Sequence, residues 1–592
     1  MYKKRYEELY QTEENILRKL KETSNRYTFL RAIVMVVFLL FVYINITHLT
    51  VPYFSMLGLS ILIFIGLVYF HGKIKKQLIY HENKATVLRQ YQNRFDHHWS
   101  EFKETGERYK RNDYFIAKDL DLLGKHSLFQ FLNVAKTSLG MQKLVDSLVH
   151  PNYSLEELNQ RQAAVKELAE NADFSIEIQT LLVDTNKKDD VAALKEFLKK
   201  IQKGIKPQRY AWIVRFVTVM IMILSLFKVF GDASGSVMFL GILINLLVAN
   251  IGGLSYHTHF ELVHSISKSL NRYQDIFALI QNNQYNSSYL TTLLKDIQNG
   301  KAAQGIHDIY LVSEMISQRQ NVIGNFFLNG LVVYDLLCID RLAKWKTKYS
   351  EEVLTWFDQF GELEALLSLA IIPQTKTVTA FPTLVEQPLM IDFNGVYHPL
   401  MNQEEAVANP FHLVHQANII TGSNMSGKTT FLRTLGINMV LAFAGGALCA
   451  EKATLSYMHV LTSMRIEDEL SSGTSTFYAE LKRIKQMIDE SDKHIPICCF
   501  IDEIFKGTNS ADRIVGAKAA IERLIKDNVL VFVSTHDFEL CDLEKTLPLS
   551  NYHFKEDYAD KQITFDYQIR SGRCHTTNAR YLLEMVGIIK DS

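Results

Sequence analysis

The chain reads as an α/β nucleotide-binding domain at its C-terminal end, preceded by an all-α helical core and two apolar helical hairpins long enough to cross a membrane. Three observations predict this. A glycine-containing loop, Gly422–Thr430, lies between the apolar run Asn418–Ile420 and the helix-forming stretch Phe431–Leu441. Residues 115–205 and 257–372 carry apolar positions at helical spacing. Four charge-poor stretches, Thr28–Ile46, Pro52–Phe70, Ala211–Phe230 and Ser236–Leu254, approach the ~20 residues that a membrane span needs.

Residues 1–27 form a charged helical stretch with Leu9, Ile16, Leu17 and Leu20 at roughly helical spacing, which fits a short coiled coil or a solvated helix. Residues 28–70 form the first expected transmembrane hairpin. Seven Lys/Arg precede it and Lys73, Lys75 and Lys76 follow, while the connector Thr47–Val51 has none. The positive-inside rule therefore puts both ends in the cytoplasm. A cleaved signal peptide fits poorly, because the first apolar block is long, starts late and is followed at once by another.

A helical linker, 71–114, leads to the first part of the helical core, 115–205, where Pro151 and Asn152 separate two helices. Residues 211–254 form the second expected hairpin, joined by Gly231–Gly235, with Arg215 and Lys228 placed to snorkel towards the interface. A buried soluble hairpin is the alternative there. The second part of the core, 257–372, includes the apolar run Asn321–Ile339, whose Asn325, Asn329 and Asp335 point to a core helix in place of a fifth span. A Pro-containing link, Pro373–Pro388, opens the last domain, 373–592.

With 592 residues and 47% hydrophobic content the chain supports several cores. Lys plus Arg and Asp plus Glu are equal at 64 each, so no global basic excess advertises nucleic acid. The six cysteines, Cys338, Cys449, Cys498, Cys499, Cys541 and Cys574, lack metal-site spacing and read as reduced residues in apolar surroundings, so no structural metal is expected.

The loop Gly422, Ser423, Asn424, Met425, Ser426, Gly427, Lys428, Thr429, Thr430 meets the G-x-x-x-x-G-K-[ST] pattern of a phosphate-binding loop. Gly422 and Gly427 let backbone N–H groups curl around phosphate oxygens, Lys428 reaches the β and γ phosphates, and Thr429 offers a hydroxyl to Mg²⁺. The apolar run Ile497–Ile501 ends in Asp502-Glu503, a Walker B arrangement that gives Asp502 to the metal and Glu503 to the attacking water. A second apolar run, Val529–Val533, ends in Ser534-Thr535-His536 and should bring His536 near the γ-phosphate.

Taken in order, Asn424–Thr430, Ser472–Phe477, Asp502–Ser510 and Ser534–Leu540 resemble the ATPase domain of the MutS family of DNA mismatch repair proteins. Val396–Pro399 resembles that family's His-Pro motif ahead of the phosphate loop. Leu122–Leu128, Thr137–Gly140, Arg161–Val165 and Glu364–Ala370 resemble its helical core, the lever joining clamp to ATPase. The resemblance implies an ABC-type P-loop ATPase using ATP and Mg²⁺, paired head to tail as a homodimer, with Ser475 acting in trans on the partner's ATP. It covers roughly 115–205 and 257–590. Three positions depart from it: Ser423 stands where proline is usual, Phe505-Lys506 replaces Gly-Arg, and Thr576–Ala579 lacks Ser-Tyr-Gly.

The mismatch-reading domain has no counterpart in residues 1–110, and the second hairpin lies where the family has its DNA clamp. Phe102-Lys103-Glu104 matches the mismatch-wedge pattern Phe-x-Glu, but in a helical stretch, and reads as coincidence. The function expected is a MutS-like ATPase anchored by several spans in the cytoplasmic membrane, with N-terminus, core and ATPase domain in the cytoplasm. DNA binding is expected to be weak and without mismatch preference. The alternatives are the ATPase subunit of a transport system, or an ATP-dependent membrane scaffold or switch.

Overall fold

A computed structural model of the chain describes residues 2–47, 51–111, 114–183, 196, 198–199, 211–254, 257–319, 321–386, 388–423, 425–465, 476–506, 509–559 and 562–574. The segments expected to carry Ser475, Asn424, Gly507-Thr508 and Thr576–Ala579 lie outside the described residues.

Two long helices, α1 (Tyr2–Thr47) and α2 (Val51–Phe95), form an antiparallel hairpin. The charged stretch of residues 2–27 and the first apolar run are thus one continuous helix, because nothing between them breaks the i to i+4 ladder. Contacts between the two helices fix the pairing: Lys3 with Asp96 at 2.8 Å, Glu13 with Lys84 at 3.0 Å, and Ser24 Oγ with His71 Nε2 at 3.0 Å. The base of the hairpin is packed into the helical region. Tyr6 stacks on Tyr91 at 4.4 Å, the Tyr91 hydroxyl donates to Gln374 at 3.0 Å, and Arg94 donates to the carbonyl of Phe131 at 2.7 Å. The apolar ends stay outside, with Phe29, Val36, Phe54 and Leu62 each about two-thirds exposed.

The helical region follows as α3 (Phe115–Asp119), α4 (Leu128–Leu132), α5 (Ser138–Val149), α6 (Leu155–Glu170) and α7 (Ala172–Leu182). Then come α8 (Ala211–Leu226), α9 (Ser234–Leu254), α10 (His257–Asn282), α11 (Ser288–Leu293), α12 (Lys295–Gln298), α13 (Lys301–Gln318), α14 (Val322–Val332), α15 (Tyr334–Tyr349), α16 (Val353–Leu369) and α17 (Ile371–Thr375). Starts are set by local chemistry: Ser154 caps α6 in a full capping box with Glu157, and Thr137 caps α5.

Helix α8 begins at the edge of the described residues and ends at Leu226, after which Lys228 and Gly231 take φ of +53° and +56°. Among the described residues three helical segments, Lys3–Ile46, Pro52–Phe95 and Gly231–Asn250, are long and apolar enough to cross a membrane by length and composition. One expectation, on the run Asn321–Ile339, is corrected here. The run Asn321–Ile339 is not one core helix. It breaks at Val333, φ +49°, into α14 and α15, and α14 leaves Ile323, Phe326 and Phe327 more than half exposed.

The last domain holds two sheets. One is four-stranded, in the order β1 (Thr383–Val385), β5 (Lys452–Ser456), β2 (Ile391–Val396), β3 (Asn409–His412). The other is six-stranded, in the order β10 (Gln562–Ser571), β9 (Leu549–Ala559), β4 (Ala417–Thr421), β8 (Val529–Ser534), β7 (Ile497–Asp502), β6 (His459–Ser463). All neighbours in the second sheet are parallel except β10 with β9. Strands β4, β7 and β8 are near-continuous apolar runs because helices cover both faces: α18 (Lys428–Phe443) on one, α19 (Thr476–Ser491) and α20 (Ser510–Leu524) on the other. Helix α18 is also held by the helical region, where buried Arg161 of α6 donates to the Ala444 carbonyl at 3.2 Å and pairs with Glu362.

Candidate functional site

Strand β8 lies between β4 and β7, so the three strands end side by side at the carboxyl edge of the sheet. Ser534 is level with Ile420 on one side and Asp502 on the other. Ligands of parallel α/β sheets collect at this edge. The loop after β4, the Asp502-Glu503 pair after β7 and His536 after β8 are thereby brought together, as the sequence predicts.

The loop needs its glycines. Gly422 has φ +145° and a Cβ there would lie 2.7 Å from Ser426 Oγ; Gly427 has φ +108° and its Cβ would lie 3.2 Å from the Tyr567 ring. Met425, φ +73°, is 83% exposed at the tip. Lys428 opens α18, is buried, and donates from Nζ to the carbonyls of Gly422 at 2.9 Å and Ser423 at 2.7 Å. Burial lowers its pKa, opposed by the carboxylates of Asp502 and Glu503. Thr429 donates to Asp502 Oδ2 at 2.8 Å, and Ser534 donates to the other oxygen of the same carboxylate. Ser423, where proline is usual in the resembled family, donates to buried Glu556 of β9.

Glu503 sits at φ +53° with its N–H donating to the Ser534 carbonyl at 3.1 Å. Its carboxylate meets His536 Nε2 at 3.1 Å and pairs with Lys506. The hydrogen bond from His536, reinforced by Lys506, holds the Glu503 carboxyl down at about 2. Phe505, which departs from the usual glycine, keeps the positive φ of +58° and stays buried against Phe477 at 5.9 Å. Aromatic packing offsets the backbone strain there.

Three contributors have no motif in the sequence. Arg513 of α20 holds Asp537, next to His536, in a two-pronged pair at 2.7 and 2.8 Å. Tyr567, φ +54°, is turned towards the loop by a register shift between Phe565 and Ile569. Asn409 fixes that bulge by donating to the Tyr567 carbonyl at 3.0 Å and accepting from Ile569 N at 2.8 Å. The signal for Tyr567 would have been its place in β10 opposite the loop, which only pairing reveals. A cavity of about 500 Å³ results, bounded by Lys428, Thr429, Glu503, Phe431, Tyr567 and His398. Burial, with Arg433 nearby, pushes His398 down to about 4, so it is neutral at pH 7.

The donor set fits a magnesium nucleotide. The loop carries two glycines whose Cβ atoms would crowd Ser426 Oγ and the Tyr567 ring, its one lysine is buried at the centre, and Thr429 and Asp502 supply two oxygen donors suited to a hard cation.

Comparison with known families matches MutS domain III over residues 116–492 and MutS domain V over residues 418–590. Among curated proteins the chain is similar to the DNA mismatch repair protein MutS of Natronomonas pharaonis, 30% identical over 210 residues, 33% of this chain and 24% of that protein. It is similar to those of Exiguobacterium sp., 27% identical over 281 residues (47% and 33%), and Lactococcus lactis subsp. cremoris, 29% identical over 237 residues (38% and 28%). The chain thus spans a quarter to a third of the length of these relatives. With domain III matched across more than half of its residues and domain V across the sheet that carries the site, this chain belongs to the MutS family.

Proposed function

We propose that the chain is a membrane-anchored ATPase that binds and hydrolyses Mg²⁺-ATP at a head-to-tail homodimer interface and passes the resulting motion through its helical region. The observation that carries this reading is the convergence of Lys428, the Thr429–Asp502 pair and the Glu503–His536 pair at the ends of three adjacent strands.

Each residue has a role set by its placement. Lys428 neutralises β and γ phosphate oxygens while the loop N–H groups between Gly422 and Gly427 bind them. Thr429 and Asp502 would hold Mg²⁺, which supplies positive charge against the charge that develops on the phosphates. Glu503, its carboxylate held ionised by the hydrogen bond from His536 and by Lys506, orients or deprotonates the attacking water. His536 fixes that carboxylate, and Arg513 fixes the His536 loop through Asp537. Tyr567 offers its ring to the base. Ser475 of one subunit completes the site of the other with a hydrogen bond to the γ-phosphate.

The apolar helices support a location in the cytoplasmic membrane, where four crossings, by α1, α2, α8 and α9, would leave both the N-terminus and the ATPase domain inside. The relatives are named for DNA mismatch repair, and a role in DNA repair is the family's suggestion for this chain. Binding of DNA here is weak and blind to mismatches, because two long helices stand where a wedge-bearing domain would be and α8–α9 where a clamp would be. A mixing experiment tests the shared site. Lys428→Ala and Ser475→Ala subunits, each silent alone, should regain part of the turnover when co-expressed; continued silence despite proven pairing would contradict it.

A further inference from the structure

Helix α14 is amphipathic in the wrong sense for a water-soluble core. Ile323, Phe326, Phe327 and Leu331 are 71%, 52%, 58% and 43% exposed; Ile323, Phe327 and Leu331, four residues apart, form one outward stripe with Phe326 beside it. Its polar side is turned inward. Asn329 is buried, donates to Asn325 at 2.6 Å and Asp335 at 3.1 Å, and accepts from Asp335 N at 2.9 Å, while Arg319 closes on Asp335 at 2.7 Å.

The same helix packs on α9 and α8. Fully buried Asn245 of α9 donates to the Gly330 carbonyl at 2.8 Å, and a Cβ on Gly330 would lie 3.1 Å from Ile242, so the two backbones approach closely. Small residues at a contact and a side-chain amide across it are how helices associate in lipid. The outer faces are of one kind: Phe239, Leu240, Leu243 and Leu247 on α9, with Phe216 and Ile223 on α8, are all exposed. Neither α9 nor α14 contains an Asp, Glu, Lys or Arg. A protein partner in water would be met by a polar rim, and these two helices carry no charge to form one.

We propose that α14 lies against the hydrocarbon of a lipid bilayer, so that the second membrane-contacting unit is the three helices α8, α9 and α14. The proposal rests on the membrane reading above and deepens it. With 11 residues α14 reaches ~16 Å, about half of a ~30 Å core, so it meets the acyl chains of one leaflet without crossing. The asparagines that argue for a core helix serve instead to tie α14 to α15 at its protein-facing side.

The test uses the full chain reconstituted in phosphatidylcholine vesicles with and without doxyl-labelled lipid. An environment-sensitive fluorophore is placed at Phe327→Cys, at Leu62→Cys on α2 and at Lys344→Cys on α15; the six native cysteines are buried. The expected result is a blue-shifted emission at 327 and at least a twofold loss of fluorescence with doxyl lipid at 327 and 62, with little change at 344. Quenching at 62 but not at 327 overturns the proposal while leaving the membrane reading in place. So does efficient disulfide formation between Phe327→Cys residues of two copies without quenching, which would make the face a dimer contact. No quenching at either site sinks the membrane reading and this proposal together.

Discussion

Leu120 packs directly against Gly436: a Cβ built on that glycine would lie 2.8 Å from Leu120 Cδ2. Leu120 follows α3 of the helical region and Gly436 is in α18, the helix that starts at the phosphate loop. The residues either side of Leu120 lock the seam. Asp119, fully buried, accepts from Met464 N at 3.1 Å, Arg465 N at 3.0 Å and Arg483 at 3.1 Å. Asp121 accepts from Arg433 at 3.2 Å and Arg465 Nη2 at 2.9 Å. One tripeptide therefore grips α18, the end of β6 and α19 together.

A size swap checks this seam. Gly436→Ala should cost roughly 1–3 kcal/mol by overpacking, and Leu120→Ala roughly 2–5 kcal/mol by leaving a cavity. In the double variant each change relieves the other, so denaturant unfolding should show a cost at least ~1 kcal/mol below the sum. Strict additivity would mean the two residues do not share space.

Glu364 of α16 is buried and accepts from Lys136 N at 2.7 Å, Thr137 N at 3.2 Å and the Thr137 hydroxyl. Burial outweighs those hydrogen bonds and raises its pKa from 4.5 to about 7. Because the folded value lies above the unfolded one, its contribution is fully present below pH 4.5 and lost as pH rises through 7. The stability of the wild type relative to Glu364→Gln should therefore fall by roughly 3 kcal/mol between pH 4 and pH 8. Parallel pH profiles for the two proteins would refute the assignment.

Tyr567→Ala should raise the KM for ATP by about tenfold, since base–aromatic stacking contributes roughly 1–3 kcal/mol, with kcat changed less than about threefold. Equal losses in kcat and kcat/KM would place the ring's role at the phosphates instead.

The site was legible in the sequence where one position carries its own chemistry. Gly422, Gly427, Lys428 and Asp502 stand at spacings that the loop and strand geometry impose, and the structure brings them together. Tyr567, Asn409 and Arg513 were not legible, because a bulge in one strand and an ion pair from a distant helix place them. The helical region showed in its periodicity. The apolar helices were harder: hydropathy alone could not see the left-handed turn at Lys228 that follows α8, or that Asn329 faces inward while Phe327 faces out.

DNA affinity should be salt-steep and sequence-independent, as scattered Lys and Arg meeting phosphates would give. A competition titration at near-physiological salt between a perfect duplex and one with a single G·T mismatch should show less than about a tenfold preference, equal to about 1.4 kcal/mol. A larger preference would require a mismatch-reading element in the N-terminal third.

The most direct single measurement is ATP turnover by the full chain recovered from carbonate-washed membranes, wild type beside Glu503→Gln. The expected result is hydrolysis in the carbonate-resistant fraction that Glu503→Gln abolishes while ATP binding stays intact. A wild-type protein that washes off as a soluble species, or a Glu503→Gln protein that hydrolyses ATP at the wild-type rate, would contradict a membrane-anchored ATPase with its chemistry at Glu503.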